Sequence, residues 1–132
     1  MSRRTALGQV LGLGSAKEGA DHWWAQRWTA VALALLGVWF GVSVAAMVGD
    51  GGVDFAHLTG WLNSPVNAVF SALFIATACY HSSLGVQVII EDYVGADMLK
   101  VPGLILVKFV HAALGAIGIY AILRISFGGV VA

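Results

Sequence analysis

The sequence is poor in charged residues and in cysteine. Only 11% of its 132 residues are Asp, Glu, Lys or Arg, whereas soluble domains carry about 25%. Seven basic residues balance seven acidic ones, so there is no excess of positive charge for binding a polyanion, and nucleic acid is not expected as a partner. The single cysteine, Cys79, excludes an internal disulfide and a metal site built from cysteines.

Hydrophobic residues, in contrast, make up 59% of the chain, and its mean hydropathy is +0.86. A helix needs about 20 largely apolar residues to cross a bilayer core, and three runs meet this requirement, at about 28–48, 65–90 and 104–127. We therefore predict an all-α membrane protein with three transmembrane helices, forming a single membrane domain over residues 1–132. Residues 1–26 are predicted to be a cytoplasmic N-terminal segment that does not span the membrane.

The connections between the spans carry turn signals. Residues 50–52, Asp-Gly-Gly, mark a turn after the first span, and residues 53–62 are expected to form a short helix in the membrane interface. Residues 95–103 contain a proline and are predicted to separate the second span from the third. Within the first span, Gly37 and Gly41 form a GxxxG pair, a candidate close-packing face, although this motif is frequent by chance.

The basic residues predict the direction of the spans. Six of the seven lie in the N-terminal segment or between the second connection and the start of the third span, and only Arg124 lies near the opposite end. Cytoplasmic loops carry the excess of Lys and Arg. We therefore place the N-terminus and the second connection in the cytoplasm and the C-terminus outside. Tryptophans at both ends fit interfacial aromatic belts: Trp23, Trp24, Trp28 and Trp61.

His81 lies in the middle of the second span, where an ionisable side chain is tolerated only if it has a partner or a task. Asp92 lies eleven residues further on, hence within about 20° of the same helix face and about 16 Å away along the axis. Ala78 and Gly85, one turn to either side of His81, leave space for a flat ring. A neutral imidazole on a rigid helix suits haem iron. A histidine hydrogen-bonded to a neighbouring helix is the alternative, and spacing alone does not separate the two.

Asp92 and Tyr93 end the second span at the depth of the lipid headgroups. A quinone ring docks at this depth and needs hydrogen-bond donors there. A tyrosine hydroxyl supplies a donor, and a neighbouring carboxylate can orient it or relay a proton. The alternative is an ordinary helix end with an aromatic anchor.

Arg27 begins the first span, shortly after His22-Trp23-Trp24. A guanidinium at this position suits a carboxylate or a phosphate, because it pairs with two oxygens at once. Snorkelling of the side chain to lipid headgroups is the alternative.

Residues 81–93 combine a histidine, a glycine four residues later and Asp-Tyr at the eleventh and twelfth positions after the histidine. This segment, HSSLGVQVIIEDY, resembles the second-helix signature of the hydrophobic membrane anchor of succinate dehydrogenase. Residues 12–27 resemble the N-terminus of alphaproteobacterial members of that family. The resemblance runs from about residue 10 to the C-terminus and includes all three spans.

The resemblance implies a membrane anchor without a catalytic centre of its own, bundled with a partner anchor subunit in succinate dehydrogenase, respiratory complex II, of a bacterial inner membrane. His81 would be one axial ligand of haem b, with the other from the partner anchor, the cytochrome b556 subunit. Arg27 would pair with a haem propionate, and Tyr93, supported by Asp92, would donate a hydrogen bond to ubiquinone. The flavoprotein and iron–sulfur subunits would dock on the cytoplasmic face and supply electrons from succinate. Membrane lipid would surround the helices.

His111 in the third span departs from this pattern. It lies about 13.5 Å deep, counted from Pro102, and His81 about 15 Å deep, counted from Glu91. A self-contained bis-histidine cytochrome b, with a haem between His81 and His111, is therefore an alternative function. It requires that the two side chains also face each other. Lys108, one turn before His111, is expected to snorkel to the cytoplasmic headgroups.

Overall fold

The computed structural model describes residues 16–128, and this part of the chain is helical apart from short connections. Its helices are α1 (Ala16–Gly49), α2 (Phe55–Leu62), α3 (Pro65–Tyr93) and α4 (Asp97–Gly128). Three segments are long and apolar enough to cross a membrane: Ala20–Gly49, Pro65–Tyr93 and Met98–Phe127. The predicted all-α architecture with three spans is confirmed, and each helix extends beyond the predicted span.

The turn between α1 and α2 depends on its two glycines. Gly51 and Gly52 have φ angles of 126° and 135°, which side chains other than glycine rarely adopt. The short helix predicted at 53–62 is confirmed as α2. Asp54 caps its first turn, because the carboxylate accepts hydrogen bonds from the backbone N–H and from Nδ1 of His57, both at 2.8 Å.

The predicted separator at 95–103 is wrong, because the chain leaves the helical conformation only at residues 94–96. The carbonyl of Ala96 accepts hydrogen bonds from the backbone N–H groups of Leu99 and Lys100, each at 2.9 Å, and so closes the first turn of α4. Pro102 then sits inside the helix near its start. A proline there removes one helical hydrogen bond in a peripheral turn, and an apolar segment of 30 residues tolerates that loss.

Helix α3 is the centre of the fold, with α1 packed on one side and α4 on the other. Both pairs are antiparallel. On the α1 side, Trp39 packs against Phe70 in a tilted arrangement and Phe40 stacks on Phe74, with ring centroids 5.2 and 5.3 Å apart. On the α4 side, close contact depends on small residues. A Cβ at Gly118 would lie 3.0 Å from Cγ2 of Ile75.

The predicted GxxxG face is not used for packing within the described part of the chain. A Cβ added at Gly37 or Gly41 would meet no atom within 4 Å. Most large apolar side chains are likewise exposed, and Leu62, Ala68 and Ile122 form a small buried cluster. The fold therefore keeps its apolar surface on the outside, as a chain embedded among lipids and other helices does.

Candidate functional site at the α1–α3 interface

His81 is partly buried in α3 and faces α1. Its Nδ1 lies 2.8 Å from Oγ1 of Thr29, and the same Oγ1 lies 2.7 Å from the carbonyl oxygen of Ala25. A threonine hydroxyl has one hydrogen, and the carbonyl can only accept, so that hydrogen goes to Ala25. The hydrogen between Oγ1 and the imidazole must then come from Nδ1. This assigns the Nδ1–H tautomer to His81 and leaves a lone pair on Nε2.

Two further polar side chains lie on the same stripe of α1 as Thr29. His22, Gln26 and Thr29 are spaced by four and three residues, so they share one helix face. Nε2 of His22 and Oε1 of Gln26 are buried and have no hydrogen-bond partner among the described residues. An unsatisfied buried polar atom costs roughly 1–3 kcal/mol. The face thus has two positions at which an external polar group would be stabilised.

Gln26 also explains the surroundings of Gly85. A Cβ at Gly85 would lie 3.8 Å from Nε2 of Gln26, which is the one atom within 4 Å. The predicted space beside Gly85 is therefore bordered by a flexible amide of α1. Together, the Thr29–His81 and Gln26–Gly85 contacts fix the antiparallel register of α1 against α3.

Asp92 and Tyr93 occupy the last turn of α3, and both are exposed; Tyr93 retains 84% of its accessible surface. Neither makes a side-chain hydrogen bond within residues 16–128. The structure leaves the tyrosine hydroxyl open to a ligand at the helix end, and Tyr93 lies about 18 Å along the axis from His81. The neighbouring Glu91 is tied to α4, since Nζ of Lys100 donates to its carbonyl oxygen at 2.9 Å.

Arg27 does not join the group around His81. It is exposed, and its guanidinium carbon lies 5.2 Å from the ring centroid of Trp23, a cation–π contact along the outside of α1. On a helical wheel it is about 160° from Thr29. The pairing of Arg27 with a propionate remains a prediction.

His111 lies at the depth that its position predicted, but its ring is fully engaged. Nδ1 donates to the carbonyl oxygen of Val107 at 2.8 Å, and Nε2 accepts from the hydroxyl of Ser82 at 3.1 Å. Ser82 follows His81 directly, so the two histidines are at the same level while facing different helices. The geometry gives no support to a haem held between them.

A cavity of about 640 Å³ lies between α3 and α4. Its polar lining includes Tyr80, Ser83, Gln87, Lys108 and His111. His81 and Thr29 do not line it, because they lie on the opposite side of α3. The side chain of Lys108 is exposed and borders this cavity.

Residues 1–119 match the family model described as the succinate dehydrogenase/fumarate reductase transmembrane subunit. The chain belongs to this family. The succinate dehydrogenase hydrophobic membrane anchor subunit of Paracoccus denitrificans is 33% identical over 120 residues, 91% of this chain and 90% of that protein. Its counterpart from Rickettsia bellii is 32% identical over 105 residues, 80% and 82% of the two chains. The counterpart from Rickettsia typhi is 35% identical over 94 residues, 71% and 73%. The resemblance predicted from residues 12–27 and 81–93 is confirmed.

Membership of the succinate dehydrogenase/fumarate reductase transmembrane subunits makes the chain a multi-pass membrane component of an oxidoreductase complex. Of these residues, His81 was selected from the sequence, Thr29 was missed, and His22 and Gln26 were used only as parts of a motif. The signal that could have found them was the recurrence of uncharged polar residues four and three positions apart, at 22, 26 and 29, where α1 enters its apolar part.

Proposed function

We propose that the chain is the hydrophobic membrane anchor of a succinate dehydrogenase and that it binds haem b and ubiquinone together with a partner anchor subunit. It performs no bond chemistry alone. Its residues place two redox-active molecules at defined depths in the membrane. Family membership supports the anchor role, and the arrangement around His81 supports the haem.

The observation that carries the haem proposal is the free Nε2 of His81. The hydrogen bond from Nδ1 to Thr29 selects the tautomer in which Nε2 has its lone pair available for iron. When bound, the haem supplies one-electron redox chemistry. His81 would hold the iron from this chain through its Nε2. This chain therefore needs to provide only one imidazole to the iron. The cytochrome b556 subunit would provide the other.

The unsatisfied atoms of His22 and Gln26 fit a cofactor with polar edges. In this proposal they hydrogen-bond a propionate or its hydration shell, and the long side chain of Arg27 reaches round from the outer side of α1 to pair with the propionate. The negative charge of a propionate is then balanced in the N-terminal part of α1, where His22, Gln26 and Arg27 lie.

The quinone proposal rests on the open end of α3. The exposed hydroxyl of Tyr93 donates a hydrogen bond to a ubiquinone carbonyl, and the Asp92 carboxylate orients it or relays a proton during reduction. The flavoprotein and iron–sulfur subunits dock on this cytoplasmic face and pass electrons from succinate. The N-terminus lies in the cytoplasm and the C-terminus in the periplasm of a bacterial inner membrane.

The deciding experiment substitutes each histidine in the assembled complex and records reduced-minus-oxidised spectra. His81→Leu is expected to abolish or strongly perturb the haem spectrum. His111→Leu is the matched control, because it removes an imidazole at the same depth whose nitrogens are already engaged, and it is expected to leave the spectrum intact. An unchanged spectrum in His81→Leu would remove His81 as ligand, and a lost spectrum in His111→Leu would revive the single-chain cytochrome.

A further inference from the structure

We propose that Thr29 is a positioning residue for the haem iron, one that fixes the tautomer and ring orientation of His81 and strengthens its Nε2 as a ligand. This inference rests on the proposed role of His81 as an axial ligand. It adds a residue on a different helix whose chemical effect passes through the imidazole.

The first step is the fixed position of the Thr29 oxygen. Oγ1 lies 2.7 Å from the carbonyl oxygen of Ala25 and 3.2 Å from that of Gln26. The hydroxyl hydrogen is therefore directed back into α1, which is a frequent arrangement for threonine within a helix. The oxygen lone pair is left pointing outward, and no rotation of the hydroxyl is needed when it accepts from His81.

The second step is the geometry between the helices. Thr29 and His81 are both partly buried, and their 2.8 Å contact joins residues 52 positions apart in the chain. Burial keeps water from competing for Nδ1–H. The hydrogen bond to Thr29 restrains the rotation of the imidazole, and the amide of Gln26 borders Gly85 one turn further toward the predicted cytoplasmic end.

The third step is the chemical effect at Nε2. A hydrogen bond donated by Nδ1–H increases the electron density of the ring, which makes Nε2 a more basic ligand. A more basic axial ligand stabilises ferric over ferrous iron and lowers the reduction potential, since axial ligation and outer hydrogen bonds are among the means by which a protein tunes haem. Loss of the Thr29 hydroxyl is therefore expected to raise the potential.

The test compares Thr29→Val with Thr29→Ser in the complete complex. Valine keeps the branched shape and removes the hydroxyl, whereas serine keeps the hydroxyl and removes a methyl group. We expect Thr29→Val to raise the ratio of reduced to oxidised haem at a fixed ambient potential about tenfold, a change of about 59 mV for a one-electron couple. We also expect it to shift the low-spin electron paramagnetic resonance signal. Thr29→Ser should restore both properties to nearly the wild-type values.

A purely structural role would give a different result. If Thr29 served only as packing, Thr29→Val would assemble with an unchanged potential and signal, and that outcome overturns the inference. If Thr29→Val does not assemble, Thr29→Ala makes the same comparison without the branched side chain. Failure of the underlying haem proposal is distinguishable, because it would leave the spectrum of His81→Leu unchanged, whereas failure of the Thr29 inference leaves only the Thr29 variants unchanged.

Discussion

His81 and His111 are two imidazoles at one depth, and both carry the hydrogen on Nδ1, yet only His81 leaves Nε2 without a hydrogen-bond partner among the described residues. His81 donates from Nδ1 to Thr29 and keeps Nε2 open, whereas His111 donates to Val107 and accepts from Ser82. His81 and Ser82 are adjacent on α3 and point about 100° apart around its axis. His81 therefore contacts Thr29 on α1, whereas Ser82 contacts His111 on α4. Ligand capacity is thus set by the neighbouring helix and not by depth.

The hydroxyl of Tyr93 is expected to be needed for quinone reduction. Tyr93→Phe retains the ring at the open end of α3 and deletes only the hydroxyl. Loss of one substrate hydrogen bond is expected to reduce quinone reduction by the complex roughly tenfold or more, while succinate oxidation with a water-soluble acceptor persists. The two activities are measured on the same membranes. Equal loss of both would assign Tyr93 to assembly and not to quinone binding.

His81 was identifiable from the sequence because an ionisable residue in an apolar span is conspicuous. Thr29 was not, because a threonine in a membrane helix is ordinary until its partner is known. The pairing depends on which helix faces α3 and in which register, and neither quantity is contained in the periodicity of a single span. Tyr93 and Asp92 were located correctly at the helix end, while their ligand stays a prediction.

At the scale of elements, the α3–α4 interface depends on glycine at one defined point. A Cβ at Gly118 would lie 3.0 Å from Cγ2 and 3.2 Å from Cδ1 of Ile75, whereas a Cβ at Gly115 would lie an ordinary 3.6 Å from Cβ of Cys79. Since Cγ2 is attached to a branched Cβ, Ile75 has little freedom to withdraw. The two helices must then separate slightly.

We therefore expect Gly118→Ala to destabilise the solubilised complex relative to Gly115→Ala by about 1–3 kcal/mol. The two variants make the same substitution on one helix, so their intrinsic gain in helix propensity cancels. Thermal unfolding of both in the same detergent measures the difference. Equal midpoints would indicate that the contact at Ile75 relaxes without cost.

The cap of α2 gives a pH-dependent prediction. The hydrogen bonds from His57 lower the pKa of Asp54 below its ordinary value of 3.8. A lowered folded-state pKa means that the stabilisation is present above the ordinary pKa and is lost as the pH falls through the lowered value. Protection of the first-turn amides of α2 against hydrogen exchange, taken relative to the intrinsic exchange rate at each pH, should fall in that acidic range.

Two substitutions separate the cap from other acid effects. Asp54→Asn keeps a side-chain oxygen that accepts from the His57 amide, so exchange should remain slow and lose its dependence on this carboxyl. Asp54→Ala should exchange rapidly at every pH. If both variants behaved alike, the hydrogen bond to Asp54 would not determine the stability of the turn.

The presence and type of the long helices followed from hydropathy alone, but their ends did not. Pro102 suggested a break, since proline usually ends a helix. In the structure it lies near the start of α4, where the first turn is already closed by Ala96. The choice between a broken helix and a tolerated proline depends on that local hydrogen bonding, which composition does not encode.

At the scale of the whole molecule, α1 and α4 both pack on α3, and most apolar side chains remain exposed. Three spans could be predicted because each is determined by its own composition. The open arrangement could not, because the surfaces that cover it belong to lipid and to other subunits. His22 and Gln26, on the stripe of α1 that carries Thr29, likewise have buried polar atoms without a hydrogen-bond partner among the described residues.

The orientation in the membrane is testable with cysteine labelling. In a Cys79→Ala background, Asp50→Cys and Gly95→Cys each place one thiol in an exposed connection. Because basic residues favour the cytoplasmic side, we expect a membrane-impermeant maleimide to label Asp50→Cys in intact spheroplasts and Gly95→Cys only in inverted vesicles. The reverse pattern would overturn the orientation and, with it, the cytoplasmic position of Tyr93.

Helix α3 presents His81 to α1 and the next residue, Ser82, to α4. One helix thus separates the flank on which the proposed haem ligand lies from the flank that packs against α4. If haem binds as proposed, substitutions along α1 that change its reduction potential and substitutions along α4 that change stability should have additive effects. The reduction potential of the proposed haem and the stability of the anchor could therefore be changed separately, the first through α1 and the second through α4.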